Sequence, residues 1–154
     1  MTRRFLVACA AGGSALLLLA ALAFQYLGGM APCELCIWQR WPHAGAVVVG
    51  AVALALPAAF LLLAGALGAL ASTGIGVYHT GVERGWWPGP EACGGVGDIT
   101  GLSAEALLEQ ILATPVVRCD EVAWEMLGLS MASWNALASL GLAGVWLLAL
   151  TRRA

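Results

Sequence analysis

The sequence predicts an all-α protein embedded in a membrane: a bundle of four transmembrane helices with a short amphipathic surface helix in its second outer loop. Three observations predict it. Hydrophobic residues fill 61% of the 154 positions and charged residues 10%, against about 25% charged in an ordinary soluble domain. The few charges leave three long uncharged runs. All seven basic residues are arginines, four of them at the two ends of the chain, and the formal net charge is −2, so no basic surface exists to neutralise nucleic-acid phosphates. A water-soluble enzyme and a disordered tail are excluded, and residues 1–154 are read as one integral membrane domain.

The first uncharged run, from Phe5, is long enough to cross a hydrocarbon core of about 30 Å, which needs roughly 20 helical residues; the span is placed at 5–27. Its length separates it from a cleaved signal peptide. Between Arg40 and Glu83 lie 42 residues with no Asp, Glu, Lys or Arg, too many for one crossing. Pro57 removes a helical donor and disfavours helix at Leu56, so two spans are expected, 37–56 and 58–78. Ser130 is the expected N-cap of a last span at 131–150. Arg3 and Arg4 before the first span, with Arg152 and Arg153 after the fourth, put both termini on the cytoplasmic side and residues 28–36 and 79–129 outside. The second outer loop holds eight of the nine acids against Arg84 and Arg118, a net charge of −6. Within it Ala104, Leu107, Leu108, Ile111 and Leu112 follow helical spacing after Ser103, as expected of a helix lying on the membrane surface. Tyr26, Trp38, Trp41, Tyr78, Trp86, Trp87, Trp124 and Trp134 form an outer aromatic belt, with Trp146 toward the inner face.

Four of the five cysteines, Cys33, Cys36, Cys93 and Cys119, map outside, where thiols become disulfides. Cys9 lies in the first span, where it is expected to pack as a small hydrophobe. Cys33-Glu34-Leu35-Cys36 is a C-x-x-C at a helix N-terminus, where unpaired backbone N–H groups and the helix dipole favour a thiolate. Arg40 stands one turn after Cys36 on the same face; it either snorkels to the interface or serves that thiolate. Cys93 and Cys119 read either as a structural disulfide or, beside the polar Gly94–Asp98 stretch, as a loose, exposed bond open to another protein's thiolate. A zinc site is a third use of the four cysteines, but only one pair is short, and no metal is expected.

Pro32-Cys33-Glu34-Leu35-Cys36-Ile37-Trp38-Gln39-Arg40, Gly76-Val77-Tyr78-His79-Thr80-Gly81-Val82-Glu83, Cys93, and Val117-Arg118-Cys119-Asp120-Glu121 leading to Trp124 together resemble the disulfide bond formation protein B family over nearly the whole chain. Gln39 is a departure, since some members carry glutamate there. The vitamin K epoxide reductase family is similar in kind but carries its C-x-x-C after the loop pair. The resemblance implies a thiol oxidase of the bacterial inner membrane that takes electrons from a periplasmic thioredoxin-fold dithiol oxidase and passes them to ubiquinone or menaquinone. It further implies a Cys93–Cys119 disulfide attacked at Cys93, transfer from Cys119 to Cys33, and Cys36 leaving as a thiolate beside the quinone. Arg40 and His79 would contact the quinone; His43 has less support. A monomer is expected. The alternative class is a non-catalytic membrane protein that uses the four cysteines for structural disulfides or zinc.

Overall fold

A computed structural model describes residues 1–56, 58–90, 93, 103–113 and 117–152. Pro57, the Gly94–Asp98 stretch and Arg153, on which parts of the sequence reading rest, lie outside the described residues. Helices α1 (Arg3–Tyr26), α2 (Glu34–Ala55), α3 (Ala59–Glu83), α4 (Ala104–Ala113) and α5 (Met131–Leu150) account for nearly all regular structure among the described residues. The exception is a hairpin of two-residue strands, β1 (Glu125–Met126) and β2 (Leu129–Ser130), turned by Leu127 and Gly128, both at positive φ.

α1, α3 and α5 are long and apolar enough to cross a membrane. α2 has the length, at 22 residues, but its first three turns carry Glu34, Gln39, Arg40, Pro42 and His43. The four long helices close a ring in which α1 packs on α2, α2 on α3, α3 on α5 and α5 on α1. Small residues fill the interior, among them Ala10, Ala46, Gly65, Ala66, Ala69 and Ala136, while Leu16, Leu19, Val48, Leu63, Leu67, Leu137 and Leu140 point outward. In lipid this inversion is stable, because apolar tails solvate leucine as well as a core does and close backbone approach becomes the main source of packing energy.

The helix ends follow local rules. Ser130 caps α5, its Oγ accepting from Ser133 N. α3 runs past the expected end at Tyr78 as far as Glu83, since nothing breaks it before Gly85 at φ +67°; His79 and Glu83 therefore stand on the helix. The Arg3 guanidinium donates to the Arg152 carbonyl at 2.9 Å, so the chain ends meet, and near them Leu6, Val7, Leu62, Trp146 and Ala149 form the main apolar core. Two expectations are corrected. Trp146 is fully buried rather than interfacial, because Gly65 leaves a gap that its ring fills: a Cβ on Gly65 would come within 2.5 Å of that ring. Cys9 is exposed on the outside of the bundle rather than packed within it, since α1 turns Leu6, Val7 and Ala10 inward instead.

Candidate functional site

The end of the bundle opposite the chain termini gathers the chemistry. Cys33 is the N-cap of α2, and its sulfur accepts from Cys36 N at 3.3 Å, as an N-cap side chain does for the third N–H of a helix. Capping turns the two sulfurs together: Cys33 Sγ donates to Cys36 Sγ at 2.8 Å, both as free thiols. His79 enters from α3 with Nε2 3.6 Å from Cys33 Sγ, and one ring nitrogen and the two sulfurs all lie within 4.8 Å of one another. That is the reach of a thiophilic metal's ligand set as well as of a redox site. One turn on, Glu83 Oε1 lies 3.8 Å from His79 Nε2, and the Glu83 side chain is 6% exposed. The hydrogen bond given to Cys36, reinforced by burial, raises the Cys33 thiol well above its ordinary range.

Cys93 and Cys119 form a disulfide, with Cα atoms 5.2 Å apart. It is not the loose, exposed bond expected from its flanks: Cys93 is 6% exposed and Cys119 0%. Both pack with Cys33, Leu35 and Val82, and Cys36 and Val117 border the cluster. Sulfur is a weak hydrogen-bonding partner and gains by leaving water, so the two cysteine pairs share one apolar nest. The backbone of Cys119 also lies near the His79 ring, which places this ring beside both pairs. Near the cluster the exposed Arg118 guanidinium, paired with Asp120, holds that carboxyl below its usual range.

Beside the pairs lies a cavity of about 390 Å³, walled by α1, α2 and α5 and lined mostly by apolar residues, with Cys36, Arg40, Gln39, His43, His79 and Asn135 among its polar contributors. Arg40 does not simply run outward: its Nη1 donates to Gln25 Oε1 on α1 at 2.6 Å. Below His79, buried polar groups continue into the bundle. Gln39 bonds His79 and Asn135, and His43 Nε2 sits 3.0 to 3.1 Å from Ser72, Ser139 and Asn135.

All six residues proposed from sequence belong to this region, and sequence reasoning missed Glu83, Gln25, Asn135, Ser72 and Ser139 as part of it. A signal existed. Leu35, Gln39 and His43 on α2, Ser72, Gly76, His79 and Glu83 on α3, and Asn135 and Ser139 on α5 recur at three- and four-residue spacing, so each set lines one helix face.

Compared with known proteins, the chain matches over residues 3–149 the family described as Disulfide bond formation protein DsbB. It is 37% identical over 142 residues to Disulfide bond formation protein B 2 of Pseudomonas aeruginosa strain PAO1, covering 86% of this chain and 81% of that one. It is 34% identical over 128 residues to Disulfide bond formation protein B of Pasteurella multocida strain Pm70 (79% and 71%), and 33% identical over 142 residues to that of Dechloromonas aromatica strain RCB (86% and 82%). No solved structure matches it.

Proposed function

The chain belongs to the Disulfide bond formation protein DsbB family, disulfide-forming oxidoreductases of the bacterial inner membrane, and from that premise we propose that it is a quinone-dependent thiol oxidase serving a periplasmic thioredoxin-fold dithiol oxidase. The observation that carries the proposal is the shared nest: a formed Cys93–Cys119 disulfide packed against the free Cys33 and Cys36 thiols. A scaffold with two structural disulfides has no use for a reduced pair touching an oxidised one, whereas a relay needs that contact.

The proposed topology has four spans, α2 included, as one integral membrane domain. The arginines at both chain ends and the meeting of those ends support cytoplasmic termini, with the cysteine loops periplasmic and α4 on the membrane surface. No second copy is invoked.

In the proposed relay, the partner's thiolate attacks Cys93, the more exposed of the loop pair; the Cys93–Cys119 bond breaks and Cys119 leaves as a thiolate. Cys119 attacks Cys33 of a Cys33–Cys36 disulfide, and Cys36 leaves with the electron pair. The partner's second thiolate then attacks the mixed disulfide, releasing the oxidised partner and the Cys93 thiolate. Cys93 attacks Cys119, restoring the loop disulfide and leaving Cys33 and Cys36 reduced, the arrangement described above. The better leaving group in such an exchange is the sulfur more stable as a thiolate, and Cys36 lies in the first turn of α2, at the positive end of the helix dipole, with Arg40 one turn on.

The cavity fits a membrane quinone: its volume falls in the range of about 300–1,000 Å³ usual for small-molecule pockets, its lining is mainly apolar, and Cys36 and Arg40 share it. A quinone bound there supplies the acceptor for the two electrons and two protons released when Cys33 and Cys36 rejoin. Arg40, held by Gln25, would be the positioned cation for charge on Cys36 and on a bound quinone. His79 holds Cys33 from the other side.

The test is quinone reduction by the purified protein supplied with a reduced dithiol partner. Cys36→Ser abolishes it while the partner still forms a mixed disulfide at Cys93; unchanged turnover in that variant refutes the electron route.

A further inference from the structure

One backbone carbonyl sets the direction of a hydrogen-bond chain that ends on the redox sulfurs. Leu35 O can only accept, and Gln39 Nε2 lies on it at 3.1 Å, so that corner of the amide is the NH2 group. The other corner, Oε1, receives Asn135 Nδ2 at 2.7 Å. Turning the amide over would set an oxygen against the Leu35 carbonyl and an NH2 against the Asn135 NH2. With its orientation fixed, the second hydrogen on Gln39 Nε2 points at His79 Nδ1, 2.9 Å away. A neutral imidazole carries a single ring proton, so an accepting Nδ1 leaves that proton on Nε2.

The surroundings of Nε2 agree independently. It faces Cys33 Sγ at 3.6 Å and Glu83 Oε1 at 3.8 Å, with the Cys119 backbone near the ring as well; Cys33 has directed its own S–H toward Cys36 and takes the Cys36 N–H on one lone pair, leaving the other for His79. We infer that Gln39 is a positioning residue that fixes His79 as the Nε2–H tautomer, so that the donors Gln39, His79 and Cys33 line up head to tail and converge on the sulfur of Cys36. Aligned hydrogen bonds polarise one another in a dry site. His79 is then a donor that steadies sulfur charge, and not the base that takes the Cys33 proton.

The same anchor reaches the second histidine. Asn135, oriented by Gln39, turns Oδ1 toward His43 Nε2 at 3.1 Å, which makes His43 an Nε2–H tautomer too and leaves its Nδ1 bare; that atom is buried without a hydrogen-bond partner.

This inference deepens the reading of Cys36 as the thiolate of the relay, yet it is tested in the resting protein without partner or acceptor, so the two fail separately. The chain has two histidines, and 15N-histidine NMR of the full-length protein, assigned with His43→Gln and His79→Gln, reads each ring nitrogen. In the wild type both histidines are expected to show an unprotonated Nδ1 and a protonated Nε2. In Gln39→Glu at pH 8 the carboxylate cannot donate, so the His79 Nδ1 signal shifts to the protonated type while His43, still facing Asn135 Oδ1, keeps its signals. A protonated His79 Nδ1 in the wild type overturns the inference, even if the variant does not fold. An unprotonated His79 Nδ1 persisting in folded Gln39→Glu overturns it as well.

Discussion

Two glycines on α3 give opposite expectations for the same substitution. A Cβ on Gly65 would meet the Trp146 ring at 2.5 to 2.7 Å, roughly 1 Å inside ordinary carbon–carbon contact. Trp146 is fully buried and cannot swing aside, and a Cβ on Gly50 would touch the same ring at 3.5 Å, so α3 must move away from α5. Overpacking of this kind costs about 1–3 kcal/mol, against about 1 kcal/mol gained when alanine replaces glycine inside a helix. Gly65→Ala is therefore expected to destabilise by up to about 2 kcal/mol. Gly74 has no atom within 4 Å of its Cβ position, so Gly74→Ala should stabilise by up to about 1 kcal/mol through helix propensity alone. The assay is unfolding in mixed micelles titrated with SDS, followed by loss of helical circular dichroism. If both variants shift the midpoint in the same direction and by the same amount, the clamp of Trp146 in the Gly65 gap is not what holds this end of the bundle.

Other outcomes follow from the site. Arg40→Ala should raise the KM for quinone at least several-fold and leave the mixed disulfide with the partner able to form; untouched quinone kinetics would return Arg40 to a snorkelling role. The Cys33 thiol is raised above its ordinary value near 9.0 by its bond to Cys36 and by burial. A raised thiol stays protonated, and so unreactive, as pH climbs. Iodoacetamide at pH 9 should accordingly label Cys36 of the reduced pair well before Cys33, and mass spectrometry showing preferential Cys33 labelling would contradict the direction of that hydrogen bond.

Much of the fold was legible because lipid imposes simple demands. A crossing must be long, apolar and helical, and α1, α3 and α5, which fall in the uncharged runs beginning at Phe5, after Arg40 and at Met126, meet those demands. α2 was the hardest helix to read, since Glu34, Gln39, Arg40, Pro42 and His43 dilute its apolar character, and their reason lies in the neighbouring helices. The hairpin at 125–130 depends on a two-residue turn too short to stand out beside a long helix. Cys9 and Trp146 were assigned the wrong surroundings for one reason: a helix with apolar residues on every side gives little sign of which face is inward.

The sequence by itself determined the medium, the helices and the family, along with the order of four cysteines in which a C-x-x-C precedes a loop pair. Only the tertiary structure decided what those cysteines touch. Burial of the loop disulfide against Cys33, the meeting of His79 with both pairs, and the hold of Leu35 O on Gln39 each join residues from different elements at hydrogen-bond or van der Waals range. Interactions of that range depend on which helix faces turn toward one another, and small residues such as Gly65 and Gly76 settle this by the closeness they allow.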